Sequence, residues 1–525
     1  MDNFVDLDVK NDNYFASITK QYNNIVNRPG IIAAYEKEAF INKWKSSSLM
    51  QKARLTLKKV TNKLGVKKSL LLGSYRSEED LRQRLQDMEI YYDILQSRKK
   101  YQPEAQNVSE KQWVFTNKNE RTHDIDWAEN IKTLLSSSRS YIALMVENLD
   151  SGGLEEVVAC LTAWFYKNNI EIKIFCTQNG GRIEKALQNN GIDVLVFHGK
   201  KTLFKNYLKN HPPLLINTHF VSDFYEIISQ YHIPVVEVIH NMYLFLTDRQ
   251  LKQERKKAKY ITHYIAVSEM AKKIFICKMP QIDANKITVI GNAGALGRKT
   301  APQCESFKKI IGFPEDAFIF LAVGSIDSRK NQIGIVRALD IVRYLINKPI
   351  VLILTGTVTD YEYNKKLNSI IAERNLQNNI IFEGYTEHIL DIMNIADALI
   401  VDSYFEGWSM AATEALHCGL PIIHSDCGSG KELTAGGANG ILIGNPISNI
   451  ASLSSVELYD KMHMGINENI AELVTAMVSM FKNKETWKMR RPEIKKYAER
   501  NFTPYSMMQE YLRVYYKVCH VFIGN

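Results

Sequence analysis

The sequence predicts an α/β protein: two doubly wound, Rossmann-like domains facing each other across a cleft, after a mainly helical N-terminal extension. Three observations carry this prediction. Short apolar runs of strand length alternate with amphipathic helical stretches from Tyr141 to about Ala301. The alternation starts afresh at Phe318. Residues 1–140, by contrast, hold few Val/Ile runs and few glycines, and so read as helical.

Taken in order, Tyr141–Val146 is the first strand, followed by a Gly-Gly turn and a helix. Ile170–Phe175, Ile192–Val196, Leu214–Asn217, Pro234–Val238 and Tyr264–Val267 continue the series. In the second run the strands are Phe318–Val323, Ile350–Leu354, Ile380–Phe382, Leu399–Val401 and Pro421–His424. Strands separated by helices pair in parallel with both faces covered, which explains why they are apolar throughout. From about Glu468 the chain reads as helical, with Met480, Trp487, Tyr497, Tyr505 and Tyr511 as packing anchors. The expected divisions are therefore 1–140, 141–305, 306–480 and 481–525, the last packing back on the N-terminal Rossmann-like domain.

Composition is that of a globular protein, with 45% hydrophobic and 23% charged residues in 525. No stretch reaches the roughly 20 apolar residues that span a bilayer, and the start Met-Asp-Asn-Phe-Val-Asp has no apolar signal-like run. The seven cysteines are scattered without a CxxC pair. That pattern points to reduced, mostly buried thiols in a cytoplasmic protein rather than a disulfide framework or structural zinc. The formal charge of +9 is unevenly spread: residues 41–76 carry ten basic side chains and no acidic one. Met50, Ala53, Leu57, Val60 and Leu64 recur there at helical spacing. Such a helix either lies on an anionic membrane surface, packs as a solvated helix on a neighbouring domain, or meets another acidic partner. The membrane reading implies a peripheral location on the inner face. Ser77-Glu78-Glu79-Asp80 then opens a further helix, close to a capping box.

The chemistry-bearing segment is Glu406-Gly407-Trp408-Ser409-Met410-Ala411-Ala412-Thr413-Glu414, with two glutamates eight positions apart just after the strand Ala398–Val401. Ser409 suits an N-cap, Ala411–Cys418 a helix, and Gly419 its end. Glu406 then stands in the loop at the strand's C-terminal end, and Glu414 about one turn into the helix on the same side. That edge of an open α/β sheet is where ligands bind. The amides of Gly407 to Met410 are placed to meet a sugar or phosphate oxygen, and the Glu414 carboxylate suits a ribose diol. Spacing alone leaves open two exposed glutamates favoured by the helix dipole.

The ordered set of segments around this one resembles glycosyltransferase family 4, retaining enzymes of the GT-B fold, over roughly residues 141–500. Glu406 to Glu414 is similar to that family's E-x7-E motif, and Ala415-Leu416-His417-Cys418-Gly419-Leu420-Pro421 to its continuation. Cys427 to Glu432, Gly436 to Gly440, Gly324-Ser325-Ile326-Asp327-Ser328-Arg329-Lys330-Asn331, Asp150 to Glu155, Val238 to Asn241, Ala266 to Ser268 and Val289 to Asn292 have counterparts in the same order. Two positions depart from the pattern. Ser325 stands where many members have Arg, and Ala411 where proline is common. The resemblance says nothing of residues 1–140.

The resemblance implies transfer of a sugar from a nucleotide-diphosphate sugar to a glycan or lipid-linked acceptor, with retention of configuration and no required metal or other cofactor. Arg329 and Lys330 are then the cations that receive the departing diphosphate, Lys330 matching the family's motif lysine. Otherwise they are a solvated basic pair. Glu406 supports the transferred sugar and Glu414 holds the ribose. Gly324, Ser325, Gly407, Trp408, Ser409 and Met410 line the donor site. Gly152 and Gly153 allow close backbone approach, or form a plain strand-to-helix turn. His240 faces the donor sugar or is a structural histidine, and Tyr385 flanks the base or packs. Two other readings fit the same fold: a nucleotide-sugar epimerase or hydrolase, and a non-catalytic binding subunit. Nucleic acid is not an expected partner.

Overall fold

The computed structural model describes residues 126–137, 141–149, 153–293, 314, 316–346, 348–386 and 388–523. The basic segment 41–76, the segment from Ser77 expected to open a helix, and Gly152 lie outside the described residues. By their contacts, residues 112–367 and 379–525 group into one compact unit, which holds both sheets and the candidate site. Residues 368–378 group with 1–111. Of that second unit only 368–378 are described: the end of the helix Tyr361–Glu373 and a turn in which Asn375 takes a positive φ of 53°.

The first lobe contains β1 (Ile142–Asn148), β2 (Ile172–Asn179), β3 (Asp193–Val196), β4 (Leu215–His219), β5 (Val235–Ile239), β6 (His263–Ala266) and β7 (Ile287–Val289). They form one parallel sheet in the order β3-β2-β1-β4-β5-β6-β7. Ile142 of β1 aligns with Ile172 on one side and Leu215 on the other, so the order reverses between β1 and β4. Both sheet faces are buried, which is why β1 reads Ile-Ala-Leu-Met-Val without polar alternation. Helices α1 (Trp127–Ser137) and α2 (Gly153–Lys167) belong to one face. On the other, α3 (Asp248–Lys257) opens with a capping box between Thr247 and Gln250. It ends by bringing Lys257 to 2.8 Å from the fully buried Glu237 of β5.

The second lobe repeats the plan with β8 (Phe318–Val323), β9 (Ile350–Thr355), β10 (Ile380–Gly384), β11 (Ala398–Val401), β12 (Ile422–Ser425) and β13 (Gly440–Ile443), all parallel. Their order is β10-β9-β8-β11-β12-β13, reversing between β8 and β11. Helix α4 (Gln332–Leu345) is capped by Asn331, whose side chain accepts from the Gly334 amide. Helix α5 (Met410–His417) is capped by Ser409, as expected, one residue earlier than the spacing suggested. Gly419, at φ +69°, ends it against the Arg491 carbonyl, where a Cβ would stand 2.4 Å away.

Three helices close the chain: α6 (Ile470–Lys482), α7 (Lys484–Asn501) and α8 (Pro504–Ile523). The α7 residue Arg491 donates to the carbonyls of Ala396, Met393 and Asn394 in the second lobe. Pro504 starts α8, where a missing N–H costs nothing, and Thr503 accepts from the Ser506 amide. α8 then lies on the first lobe, setting Trp127 against Tyr516, Trp164 against Tyr505 and Phe165 against Tyr515. Met480 and Tyr511 are buried, and Trp487 and Tyr497 partly so. Tyr505 departs from its expected role as a buried anchor, since it is half exposed over Trp164.

β7 and β13 were not foreseen in the sequence. Each is a short edge strand, Ile-Thr-Val and Gly-Ile-Leu-Ile, paired with one neighbour and too short to stand out in the sequence. β1, β2 and β4 also run into polar residues, to Asn148, Asn179 and His219, because backbone pairing continues past the apolar run.

Candidate active site

The order reversals fix where a site can form, since strands diverge there and leave a crevice at their C-terminal ends. In the second lobe that crevice is built by the loops after β8 and β11. Gly324 follows β8 with a φ of +150°, and a Cβ there would meet the Lys330 stem at 3.0 Å. A short 3₁₀ turn, Ser328–Lys330, is capped by Asp327, which accepts from the Lys330 amide. The turn aims Lys330 across to the β11 loop, where Nζ lies 2.5 Å from Glu406 Oε1. Ser403 also donates to that oxygen, at 2.5 Å. Glu406 is only 5% exposed. Burial alone would raise its carboxyl, but the Lys330 ammonium, His424 and the Ser403 hydroxyl together hold it at about 2.

Below this pair the two loops are bolted together. Asn331 and Asn469 donate to the two oxygens of Asp402 at 2.8 and 2.7 Å. Burial still pushes that carboxyl up to about 7, against the two amide bonds. The Tyr404 amide donates to the Arg329 carbonyl at 3.0 Å. Gly428, at φ +49°, lies against the Glu406 and Gly407 carbonyls, 2.6 and 2.8 Å from where its Cβ would be.

The sequence had set two cations opposite two carboxylates. The structure instead joins one of each: Lys330 is paired with Glu406. Arg329 occupies the same turn, about a third exposed, 3.6 Å from Asp327. The Ser325 hydroxyl is also engaged by Asp327, at 2.5 Å. Glu414 is buried on the second turn of α5.

One expected donor-site contact needs correction, and the side chains of two neighbouring positions are packed into the core. The Ser409 amide is not open to a ligand, because it donates to Ser429 Oγ at 2.9 Å. The Trp408 ring is core: its Nε1 donates to Thr413, its face meets Phe502, and its far edge lies where a Cβ on Gly291 would stand. Met410 likewise packs partly buried against that core. Tyr385 is 71% exposed beyond the edge strand β10, so it does not pack.

From the first lobe, Gly153 begins α2. His240 directly follows β5, and its backbone carbonyl touches the second lobe: a Cβ on Gly407 would fall 1.8 Å from that oxygen. The lobes also meet through Met242, Leu244, Tyr404, Phe405 and Ile447, and through the Glu269 amide, which donates to Glu432. His240 therefore stands beside the loop that bears Glu406. Its Nε2 lies 2.8 Å from Nδ1 of His219 at the end of β4, and burial lowers its pKa to about 4.

Several residues here went unread in the sequence. Ser403, Asp402 and Asp327 are ordinary loop residues by type. His219 ends β4 two residues past the expected strand Leu214–Asn217, and His424 lies inside β12. The one available signal was the clustering of polar residues just beyond strand ends.

Two parallel Rossmann-like lobes, each with its strand order reversing once, are the GT-B architecture, and that is the fold of this chain. Residues 304–459 match the family model "Glycosyl transferases group 1", and residues 151–293 match "Glycosyltransferase Family 4". Among curated proteins, the UDP-Gal:alpha-D-GlcNAc-diphosphoundecaprenol alpha-1,3-galactosyltransferase of Escherichia coli is 28% identical over 196 residues, 35% of this chain and 48% of that one. The poly(glycerol-phosphate) alpha-glucosyltransferase of Bacillus subtilis is also 28% identical over 196 residues, 37% of this chain and 25% of its own. The chain thus spans about half the length of the first relative and a quarter of the second. The lipopolysaccharide 1,2-N-acetylglucosaminetransferase of Salmonella typhimurium is 23% identical over 355 residues, 61% of this chain and 90% of that one. The crystal structure of HepE from Anabaena in complex with UDP shares the fold, with a TM-score of 0.58 at 17% identity, over 71% of this chain and 99% of that one. Among the described residues, no helix is long and apolar enough to cross a membrane.

Proposed function

We propose that the chain transfers a sugar from a nucleoside-diphosphate sugar to a glycan or lipid-linked acceptor, with retention of anomeric configuration. The observation that carries this reading is the Lys330–Glu406 pair at the second lobe's switch point, with His240 beside it. When the anomeric bond breaks, positive charge grows on the sugar and negative charge on the departing diphosphate. Lys330 and Arg329 neutralise the diphosphate as it leaves, Lys330 as a point charge and Arg329 as a planar fork. Transfer of the Lys330 contact from Glu406 toward phosphate frees carboxylate charge for the sugar. Negative charge is thereby redistributed within a largely buried site, where it acts strongly. Glu414 accepts from the ribose hydroxyls, and the remaining amides of the Gly407–Met410 segment face sugar or phosphate oxygens. The names of the relatives make UDP-sugars the first donors to try and membrane-linked glycans the first acceptors. The protein acts at the inner membrane face in this reading.

The test is a panel of UDP-, GDP-, ADP- and dTDP-sugars incubated with and without a lipid extract. Nucleoside diphosphate release that depends on the extract, with a retained anomer by NMR, is the expected result. An epimerised nucleotide sugar formed without acceptor marks the epimerase reading instead. Binding without consumption marks a non-catalytic subunit.

A further inference from the structure

Behind His240 runs a line of buried polar groups that the proposed chemistry does not use. Tyr515 of α8 donates its hydroxyl to Asn217 Oδ1 at 2.6 Å. The same oxygen lies 2.9 Å from His219 Nε2, and His219 Nδ1 lies 2.8 Å from His240 Nε2. Asn217, His219 and Tyr515 are each at most 1% exposed. A polar chain this deep is costly unless every member is satisfied.

Hydrogen-bond valence fixes the proton on every atom of the line. Asn217 donates Nδ2–H to the Val236 carbonyl at 2.8 Å. A carbonyl only accepts, so the amide nitrogen must face Val236 and the amide oxygen must face both Tyr515 and His219. That oxygen can only accept as well, so His219 carries its proton on Nε2. Burial and the neighbouring His240 keep the His219 ring neutral, with its pKa well below the ordinary value. A neutral ring with Nε2–H has a bare Nδ1, which must accept from His240. His240 therefore holds its proton on Nε2 and leaves Nδ1 bare.

We propose that Asn217, His219 and Tyr515 are positioning residues that lock His240 in its Nε2–H tautomer, so that it presents Nδ1 to the site as a hydrogen-bond acceptor for a substrate hydroxyl. The assignment of that hydroxyl rests on the transferase reading above; the tautomer does not. Through Tyr515, the setting also reaches a helix that follows both lobes in sequence. A histidine locked this way accepts from a sugar hydroxyl and cannot donate to a phosphate.

Two substitutions separate this role from simple packing. His219→Asn places an amide oxygen near the position of ring Nδ1 and keeps an acceptor for His240. His219→Gln reaches the position of Nε2, keeps the link to Asn217, and removes that acceptor. The experiment is ¹⁵N NMR of histidine-labelled full-length protein, with His240 signals assigned by their loss in His240→Gln. In the wild type, Nε2 of His240 should resonate as protonated and Nδ1 as bare, and His219→Asn should preserve this. His219→Gln should give mixed tautomers and a kcat lower by about tenfold or more, as a wrong tautomer does elsewhere, with nucleotide affinity unchanged. A wild-type His240 protonated on Nδ1, or mixed, overturns the proposal without reference to turnover or to any variant's folding. Equal activity in the two variants overturns the positioning role. Absence of transfer with every donor and acceptor would count against the transferase reading and leave the tautomer result decided on its own.

Discussion

Lys330→Met removes the ammonium and keeps most of the stem. In the native protein Glu406 is 5% exposed, and its carboxyl sits at about 2 against an ordinary 4.5. That gap corresponds to about 3 kcal/mol at about 1.4 kcal/mol per pH unit. Breaking a buried pair by removing one partner costs ~3–5 kcal/mol. Lys330 is itself 19% exposed, which sets the expected loss at the lower end, about 3 kcal/mol. The sign of the pH dependence follows. In the native protein the carboxyl's stabilising contribution is present above its unfolded value of 4.5 and is lost as pH falls toward about 2. In the variant, burial dominates and lifts the folded-state pKa, so the isolated charge is a penalty near neutral pH that protonation relieves. The two stability curves should therefore converge between about pH 7 and about pH 3. Urea unfolding across that range, with equal m-values, measures it. Adding Glu406→Gln to Lys330→Met should restore part of the loss, because it removes the stranded charge. A deficit that is the same at both ends of the pH range, or that Glu406→Gln does not relieve, refutes the electrostatic account. Turnover of Lys330→Met should fall by about 100- to 1,000-fold, as for loss of a donor to developing charge.

Gly407→Ala should force the lobes apart, since the new methyl would meet a backbone oxygen rather than a movable side chain. A destabilisation of about 1–3 kcal/mol is expected, with transfer lost and nucleotide binding retained; an unchanged melting temperature and rate would contradict the contact. Glu414→Ala should weaken nucleotide affinity by about 1.5–3 kcal/mol, the worth of hydrogen bonds to a charged group. Calorimetry with the free nucleoside diphosphate reads this directly, and an unchanged Kd removes the ribose assignment.

The strand-helix rhythm made the two lobes legible because parallel strands buried on both faces leave long apolar runs in sequence, as in Phe318–Val323. β7 and β13 were hidden because three or four residues at a sheet edge are too few to show a strand pattern of their own. At the site, Ser409 was readable as a cap and Glu406 as a loop-borne carboxylate, since both follow from local chain geometry. The ion pair was not, because Lys330 and Glu406 are 76 residues apart and meet only through the β8–β11 neighbourhood. Trp408 misled for the opposite reason. It sits inside the motif, but the side chain turns away from the motif's backbone into the core between Gly291 and Phe502. His219 escaped notice because its meaning lies in what it touches across two strands.

The docking of α8 on the first lobe has a consequence for how the protein is made. Tyr515 fills its place against Asn217 from 298 positions further along the chain. A ribosome adding about 5–20 residues per second needs roughly 15–60 s to cover that interval. Throughout it, the nascent first sheet must wait with an apolar flank and a buried amide uncovered. An excised 141–293 fragment would keep that raw face permanently, so any attempt to produce the half-molecule should supply residues 504–523 alongside it.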